Sequence, residues 1–399
     1  MAEQIDFEEA MLEGLEDEGI ERDLEDSSEE TFVASDSVMF GTDWTLETLY
    51  QQVIKGNIDL NPSFQRRDAW DVTKKSKLVE ALVVGMPVPP IVLAEKNGQK
   101  GKYIVIDGKQ RLLSICQFFS SENETSPFSK LVLKNLSLKK EMNGKTYSEL
   151  DAEQQASFEN QTLRTQIIKN WRSERFLYTI FLNLNTGSQK LYPQELRQAL
   201  HAGPFLDFLE SATGESEQFG KILKNGSPDS RMRDVELALR SFALKFRFEE
   251  YGGNLKTFLD TTCQELNQNW CQRQEEFKSF FSNIEAAIEH VYIIFGKKAF
   301  SKPTGRVVFN RALFEMFVYY LSDSLLREHL SEESALKRVE ESFKNLYLQD
   351  KRFQETISLH FDKQENVEYR FKKIQEILQD ASGQQLPSVN LTNGIFAIG

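Results

Sequence analysis

The sequence predicts an α+β fold in two parts: an N-terminal domain with a small mixed sheet and helices, then an all-α C-terminal domain. Three observations carry this expectation. Short apolar runs, Ile91–Ala94 and Lys102–Ile106, bracket the turn signal Asn97-Gly98, a pattern that marks a buried hairpin. Helix-period segments stand on either side of it, at 46–54 and 73–84 before and from Lys109 after. Between Asp229 and Asp380, apolar residues, many of them Phe, recur three and four apart. The expected domains are an acidic disordered arm at 1–36, a mixed domain at 37–205, a helical domain at 206–385 and a C-terminal tail at 386–399.

The arm follows from charge. Residues 1–30 hold 14 Asp or Glu and a single basic residue, Arg22, with too few apolar side chains to offset the entropy of folding. The net charge of −13 sits there: without these residues the totals of 61 acidic and 48 basic fall to 47 each. The folded body is therefore balanced, and the acidic total does not argue against a nucleic-acid partner. The arm reads either as a solubilising tail or as a nucleic-acid mimic that competes for a basic cleft.

No run approaches the roughly 18 apolar residues of a membrane span, and the N-terminus is acidic where a signal peptide would be basic. The expectation is a cytoplasmic protein with no membrane association. Cys116, Cys263 and Cys271 are odd in number and widely spaced, which reads as reduced thiols rather than a disulfide frame or zinc site.

Along the chain, Thr42 or Asp43 offers an N-cap for a helix with Leu46, Leu49, Tyr50, Val53 and Ile54 on one face, stopped at Gly56. An irregular stretch, 61–70, leads to a second helix from Thr73 to Val84. Pro87-Val88-Pro89-Pro90 then forces an extended path into the hairpin. The second strand ends on Asp107, and Leu112, Leu113, Ile115, Cys116 and Phe119 form the buried face of a helix starting at Lys109. A second hairpin is expected around Asn143-Gly144, and Leu163–Ile168 as a further strand of the same sheet.

Asp107-Gly108-Lys109-Gln110-Arg111 thus lies at a strand-to-helix turn. Glycine lets the backbone approach a ligand closely, and the unbonded N–H groups of a helix start favour an anion. Lys109 and Arg111 add positive charge, Arg111 with the geometry to clamp two phosphate oxygens, while Asp107 suits a metal, a water or a ribose hydroxyl. Gln110 suits the orientation of a water. The expected ligand is phosphate-bearing, a nucleotide or a nucleic-acid backbone. The plainer alternative has Asp107 as a helix cap and Lys109 and Arg111 as solvated charges.

Two further blocks accompany the turn. Phe64-Gln65-Arg66-Arg67 supplies two arginines near Trp70, and Ile180–Gly187 runs through Asn185 into Leu191 and Gln194-Glu195-Leu196-Arg197. A structural network around Glu195 and Arg197 is the alternative for the second block.

In order and spacing these blocks resemble the N-terminal domain family of GmrSD-type restriction endonucleases, whose core is ParB-like. The family pattern is a Phe-Gln-Arg block with a following Trp, a Pro-rich stretch, Asp-Gly-Gln-Gln-Arg, and an Asn-rich segment ending in Glu-Leu-Arg. Here these read Phe64–Arg66 with Trp70, Pro87–Pro89, Asp107–Arg111, Phe181–Gly187 and Leu191–Arg197. The resemblance extends from about Trp44 to Leu244, including Arg233-Asp234. It implies NTP binding and hydrolysis that licenses DNA cleavage in phage restriction.

That resemblance points to Gln65, Arg66, Asp107, Gly108, Gln110 and Arg111; with the neighbouring residues the expected site has Asp107, Gln110 and Arg111 as catalytic and Gln65, Arg66, Arg67, Gly108, Lys109, Asn185 and Arg197 as nucleotide-binding. Asp107 would also hold Mg²⁺. Lys109 replaces the family's first Gln, which strengthens phosphate binding and puts hydrolysis in question. Family enzymes with a C-terminal HNH nuclease carry His-x-x-Pro. The one such string, His201–Pro204, directly follows the Glu195–Arg197 block and reads as structural. The implied protein is an NTPase component of DNA restriction, with DNA as target and the nuclease or an ATPase on a partner. Direct DNA nicking is the lesser enzymatic option, and a non-catalytic sensing adaptor the alternative outside catalysis.

Overall fold

A computed structural model of the chain describes all residues except 1–36, 61–69, 121–125, 172–175, 178–179, 181–192, 224–227, 230 and 359–361. It divides into two compact units, one from the described part of 31–202 with 231–232, the other from that of 203–229 and 233–399. Among the described residues no helix is long and apolar enough to cross a membrane.

The N-terminal unit is built on a mixed sheet of β1 (Val38–Thr45), β2 (Ile58–Asp59), β3 (Ile91–Glu95), β4 (Tyr103–Asp107) and β5 (Thr162–Lys169). Their order is β1-β5-β3-β4-β2. β5 runs antiparallel to β1 and parallel to β3, while β4 runs antiparallel to β3 and parallel to β2. The hairpin around Asn97-Gly98 and the strand at Leu163–Ile168 are as the sequence leads one to expect.

Side chains of this sheet alternate between two cores. Leu93, Tyr103 and Ile167 point to one face, against α1 (Leu46–Ile54), α2 (Val72–Val83), α3 (Lys109–Phe119) and α4 (Ala152–Asn160). Val92, Ala94, Ile104, Ile106 and Ile168 point to the other, where they meet Trp171, Leu177 and Leu196 of α5 (Pro193–Leu200). Burial on both faces is why β3 and β4 read as continuous apolar runs rather than alternating ones.

Two expectations for the N-terminal unit are corrected. Thr42 and Asp43 do not cap the first helix: they lie in β1, and the cap is Thr45, whose side chain accepts a hydrogen bond from Thr48 N–H at 3.1 Å. β1 is an edge strand with Val38, Met39 and Phe40 all exposed, so it carries no period-two signal. Its eight-residue pairing with β5 makes it a strand.

Around Asn143-Gly144 no second hairpin of the sheet forms. Two short 3₁₀ turns, Lys140–Met142 and Tyr147–Glu149, stand there instead. The Asn143 side chain accepts from Leu136 N–H at 2.9 Å, and the carboxylate of Glu80 accepts from Leu138 and Lys139 N–H at 2.6 and 2.8 Å. Side chains meet the amides that a ladder would have used.

The C-terminal unit is mostly helical, with α6 (Pro204–Glu215), α7 (Glu217–Leu223), α8 (Arg233–Arg247), α9 (Leu255–Gln268), α10 (Trp270–Phe295), α11 (Arg311–Leu321), α12 (Ser324–His329), α13 (Glu333–Gln349), α14 (Lys351–Thr356) and α15 (Gln364–Ser382). Phenylalanines spaced along the helices meet edge to face: Phe205 lies 5.0 Å from Phe242 and 5.5 Å from Phe277 between centroids. A buried ionic chain crosses this core, with Arg240 bonded to Glu236 and Glu315, and Glu315 also to Arg370. The segment expected as a tail is structured. β6 (Val389–Thr392) and β7 (Ile395–Ile398) form a hairpin whose buried Phe396 packs 5.1 Å from Phe248.

Candidate functional site

The site grows out of the end of β4. On β3, Val92 lies opposite Asp107 and the next residue, Leu93, opposite Val105. Ile106 is therefore an extra residue, a bulge that re-aims the strand just before Asp107. Ile106 itself is fully buried, which fixes the bulge in the core.

Gly108 then turns the chain with φ of 92°, a left-handed conformation that costs a residue with a Cβ about 1–2 kcal/mol. Space is tight as well: a Cβ would stand 2.5 Å from Ile91 Cδ1, which would have to shift, and 3.1 Å from Arg111 Nη2. The glycine serves both the turn and the close approach of its neighbours.

Helix α3 starts without a side-chain cap and with no acidic residue in its first turn. Its first intrahelical bond runs from Leu112 N–H to Gly108 O at 2.9 Å. The amides ahead of it have no intrahelical acceptor, which makes the turn favourable for an anion.

Asp107 does not cap this helix. Its Oδ2 accepts from Arg111 Nη2 at 2.6 Å, and the same nitrogen donates to Pro90 O at 3.1 Å. The Arg111 side chain is 13% exposed, so the alternative of a solvated arginine is not what the structure shows. Arg111 Nε and Gln110 Oε1 are buried without a hydrogen-bond partner among the described residues. Two orphaned polar atoms in one turn are costly; a ligand that supplied an acceptor to one and a donor to the other would remove that cost.

Lys109 reaches across to α5, where its Nζ lies 4.0 Å from Glu195 Oε1 with both side chains 11% exposed. The Asp107–Arg111 turn and the Gln194–Arg197 block thus meet in space. Arg197 is buried and donates through Nη1 to Gln194 Oε1 at 2.7 Å. Gln194, fully buried, leaves its own Nε2 without a partner among the described residues. The sequence alone assigns Gln194 and Pro90 no part in the site, although a glutamine on the core side of an amphipathic helix is the signal for the first.

Residues 46–202 match the family model for the GmrSD restriction endonuclease, N-terminal domain. This segment is similar to that N-terminal domain over 157 of the chain's 399 residues. No curated protein and no solved structure is significantly similar to the chain. Asp107–Arg111, Glu195 and Arg197 all lie inside the matched segment, which ends at the boundary between the two units.

Arg233-Asp234, included in the sequence resemblance, falls outside that match. Arg233 instead forms a buried ion pair with Asp229, Nη2 to Oδ1 at 2.7 Å, at the start of α8. Gln65, Arg66, Arg67 and Asn185 lie outside the described residues. Trp70 is half-buried against the first core, with Lys74 Nζ 4.7 Å from its ring centroid. His201 is buried at the end of α5, and Pro204 opens α6 as its first residue. Among the described residues, no group of three His, Cys, Asp or Glu side chains forms a metal cage.

Proposed function

We propose that the chain is the nucleotide-binding, NTP-hydrolysing component of a cytoplasmic DNA restriction system directed at foreign DNA. The observation that carries this reading is the first turn of α3. Uncapped amides, the Arg111 guanidinium and two buried atoms without partners among the described residues, Gln110 Oε1 and Arg111 Nε, converge there within the segment that matches the GmrSD N-terminal domain. A triphosphate fits that turn: its oxygens accept from amides, Lys109 and Arg111, with Gly108 allowing close approach. Arg66, Arg67, Gln65 and Asn185 would complete the cradle, with Arg197 setting Gln194 and α5 behind it. The ParB-like description belongs to this proposal too.

Hydrolysis needs a water in line with the terminal phosphorus and charge stabilisation of the transferring phosphoryl group. Gln110 would orient that water, and Arg111 and Lys109 would hold the equatorial oxygens. The turn offers a single carboxylate, Asp107, already engaged by Arg111. This fits a hydrated Mg²⁺ arriving on the nucleotide and touching Asp107 rather than an ion caged by protein. The nuclease step would lie with a partner protein. Titration with ATP and GTP in the presence of Mg²⁺ tests the reading: Asp107→Ala and Arg111→Ala should abolish binding, and wild-type affinity in both would sink it.

A second reading, a sensing adaptor that binds nucleotide without turnover and regulates a partner nuclease or ATPase, draws on Lys109. Its place beside Glu195 sets a cation where the family pattern has Gln. Turnover assays with and without DNA separate the two, and relaxation of supercoiled plasmid in the same tubes would reveal direct nicking.

A further inference from the structure

We propose that the loop between α10 and α11 is a contact surface for the phosphate backbone of duplex DNA. This rests on the proposed action on DNA but not on the nucleotide site, which lies in the other unit.

The sequence sets the charge. Between Glu289 and Glu315 lie 25 residues without an acid, the longest such run in the chain, holding Lys297, Lys298, Lys302, Arg306 and Arg311. In a chain with net charge −13, a dense acid-free basic stretch is the electrostatic footprint expected of a polyanion partner.

The structure makes this stretch a platform rather than a loose strand. Phe300 is buried with its ring 5.2 Å from Phe314 and 6.1 Å from Phe309. An antiparallel bridge joins Ser301 to Phe309, and Asn310 N–H bonds Phe300 O at 2.7 Å. Asn310 also caps α11 through Leu313 N–H at 3.0 Å and donates to Ile357 O at 2.7 Å. The base of the loop is tied to the helical core at three points.

What the loop holds outward is basic. Lys297, Lys298 and Arg306 are exposed, as are Thr304, Gly305, Val307 and Val308. Lys298 donates to Pro303 O, which turns the chain within the loop. Lys297 and Arg306 form no ion pair among the described residues. Exposed cations of this kind gain from releasing the counterions condensed on DNA. A loop closed at its base by a single bridge, with cations on its rim, suits contact along a duplex, and phosphate contacts of this kind position a protein without reading sequence.

The test uses the full chain and a 20-base-pair duplex of arbitrary sequence, with affinity measured by fluorescence anisotropy across a salt series. The double variant Lys297→Ala/Arg306→Ala should bind roughly tenfold more weakly at low salt, and its log-affinity against log-salt slope should fall in magnitude by about 1.8, at about 0.9 for each phosphate no longer neutralised. Affinity for Mg·ATP and Mg·GTP should stay at the wild-type value, which separates failure here from failure of the nucleotide reading. Wild-type duplex affinity and slope in the variant would overturn the proposal, as would a wild-type chain that binds no duplex. Binding to phosphatidylserine vesicles that disappears in the variant while duplex binding persists would overturn it in favour of a membrane surface.

Discussion

Arg111 holds Asp107 and Pro90 through one nitrogen, Nη2, at 2.6 and 3.1 Å, so one side chain ties the end of β4, the entry to β3 and the first turn of α3 together. The charge that would meet phosphate is also the brace of the turn. Arg111→Lys keeps the charge but cannot place donors in the same fork. We expect it to bind ATP or GTP at least tenfold more weakly, with a smaller loss of stability than Arg111→Ala, measured by calorimetry and thermal melts.

Gly108→Ala is expected to fail structurally. A positive φ costs about 1–2 kcal/mol for alanine, and the added Cβ meets Ile91, itself fully buried. The variant should melt several degrees lower and lose nucleotide binding. Unchanged melting would show that the turn does not need its left-handed residue.

Lys109→Gln restores the residue of the family pattern. It removes the contact with Glu195 and offers an amide to a water. The expected outcome is weaker nucleotide binding with raised turnover per bound nucleotide, read in steady-state phosphate release. If turnover stays flat while affinity falls, Lys109 contributes charge alone and the adaptor reading gains.

Acid sensitivity has two named sources. Burial alone would raise the carboxyl of Glu80, but hydrogen bonds from the Lys139, Leu138 and Ser137 backbone outweigh it and hold it below the ordinary range. A lowered carboxylate stabilises the fold above its unfolded pKa, and that stability is lost as pH falls through the folded value. Glu80→Gln should remove this part of the pH dependence as pH falls below the ordinary carboxylate value of about 4.3. Burial, with the nearby Arg327, depresses His290, against an opposing hydrogen bond at the Leu330 backbone. Its neutral form is the folded one, so stability present above about pH 6.5 declines as pH drops below that value. His290→Leu should flatten the melting temperature between pH 7 and 5; an unchanged slope would contradict the assignment.

The strand-to-helix turn is legible in the sequence because it is local: an apolar run, a glycine and a helix period follow one another within 15 residues of Tyr103. What surrounds it is not local. β1 exists through pairing with β5, with Val38 opposite Lys169, and nothing in Val38–Thr45 alone signals a strand. The bulge at Ile106 and the reach of Arg111 to Pro90 depend on hairpin register, which composition does not encode. Asn143-Gly144 misleads because its turn chemistry is real but is spent on Leu136 and on 3₁₀ turns rather than on a ladder. The meeting of Lys109 with Glu195 joins blocks 86 residues apart in sequence.

The most direct test of the central claim is Gln110→Met. Gln110 Oε1 is buried and without a partner among the described residues, so replacing the amide by an apolar chain of similar length removes a desolvated group that none of those residues satisfies. If the turn is built for a phosphate ligand and its attacking water, the variant should melt at or above the wild-type temperature while nucleotide turnover falls at least tenfold. A variant that is destabilised yet hydrolyses ATP or GTP at the wild-type rate would contradict the account, because Gln110 would then serve the fold and not the ligand.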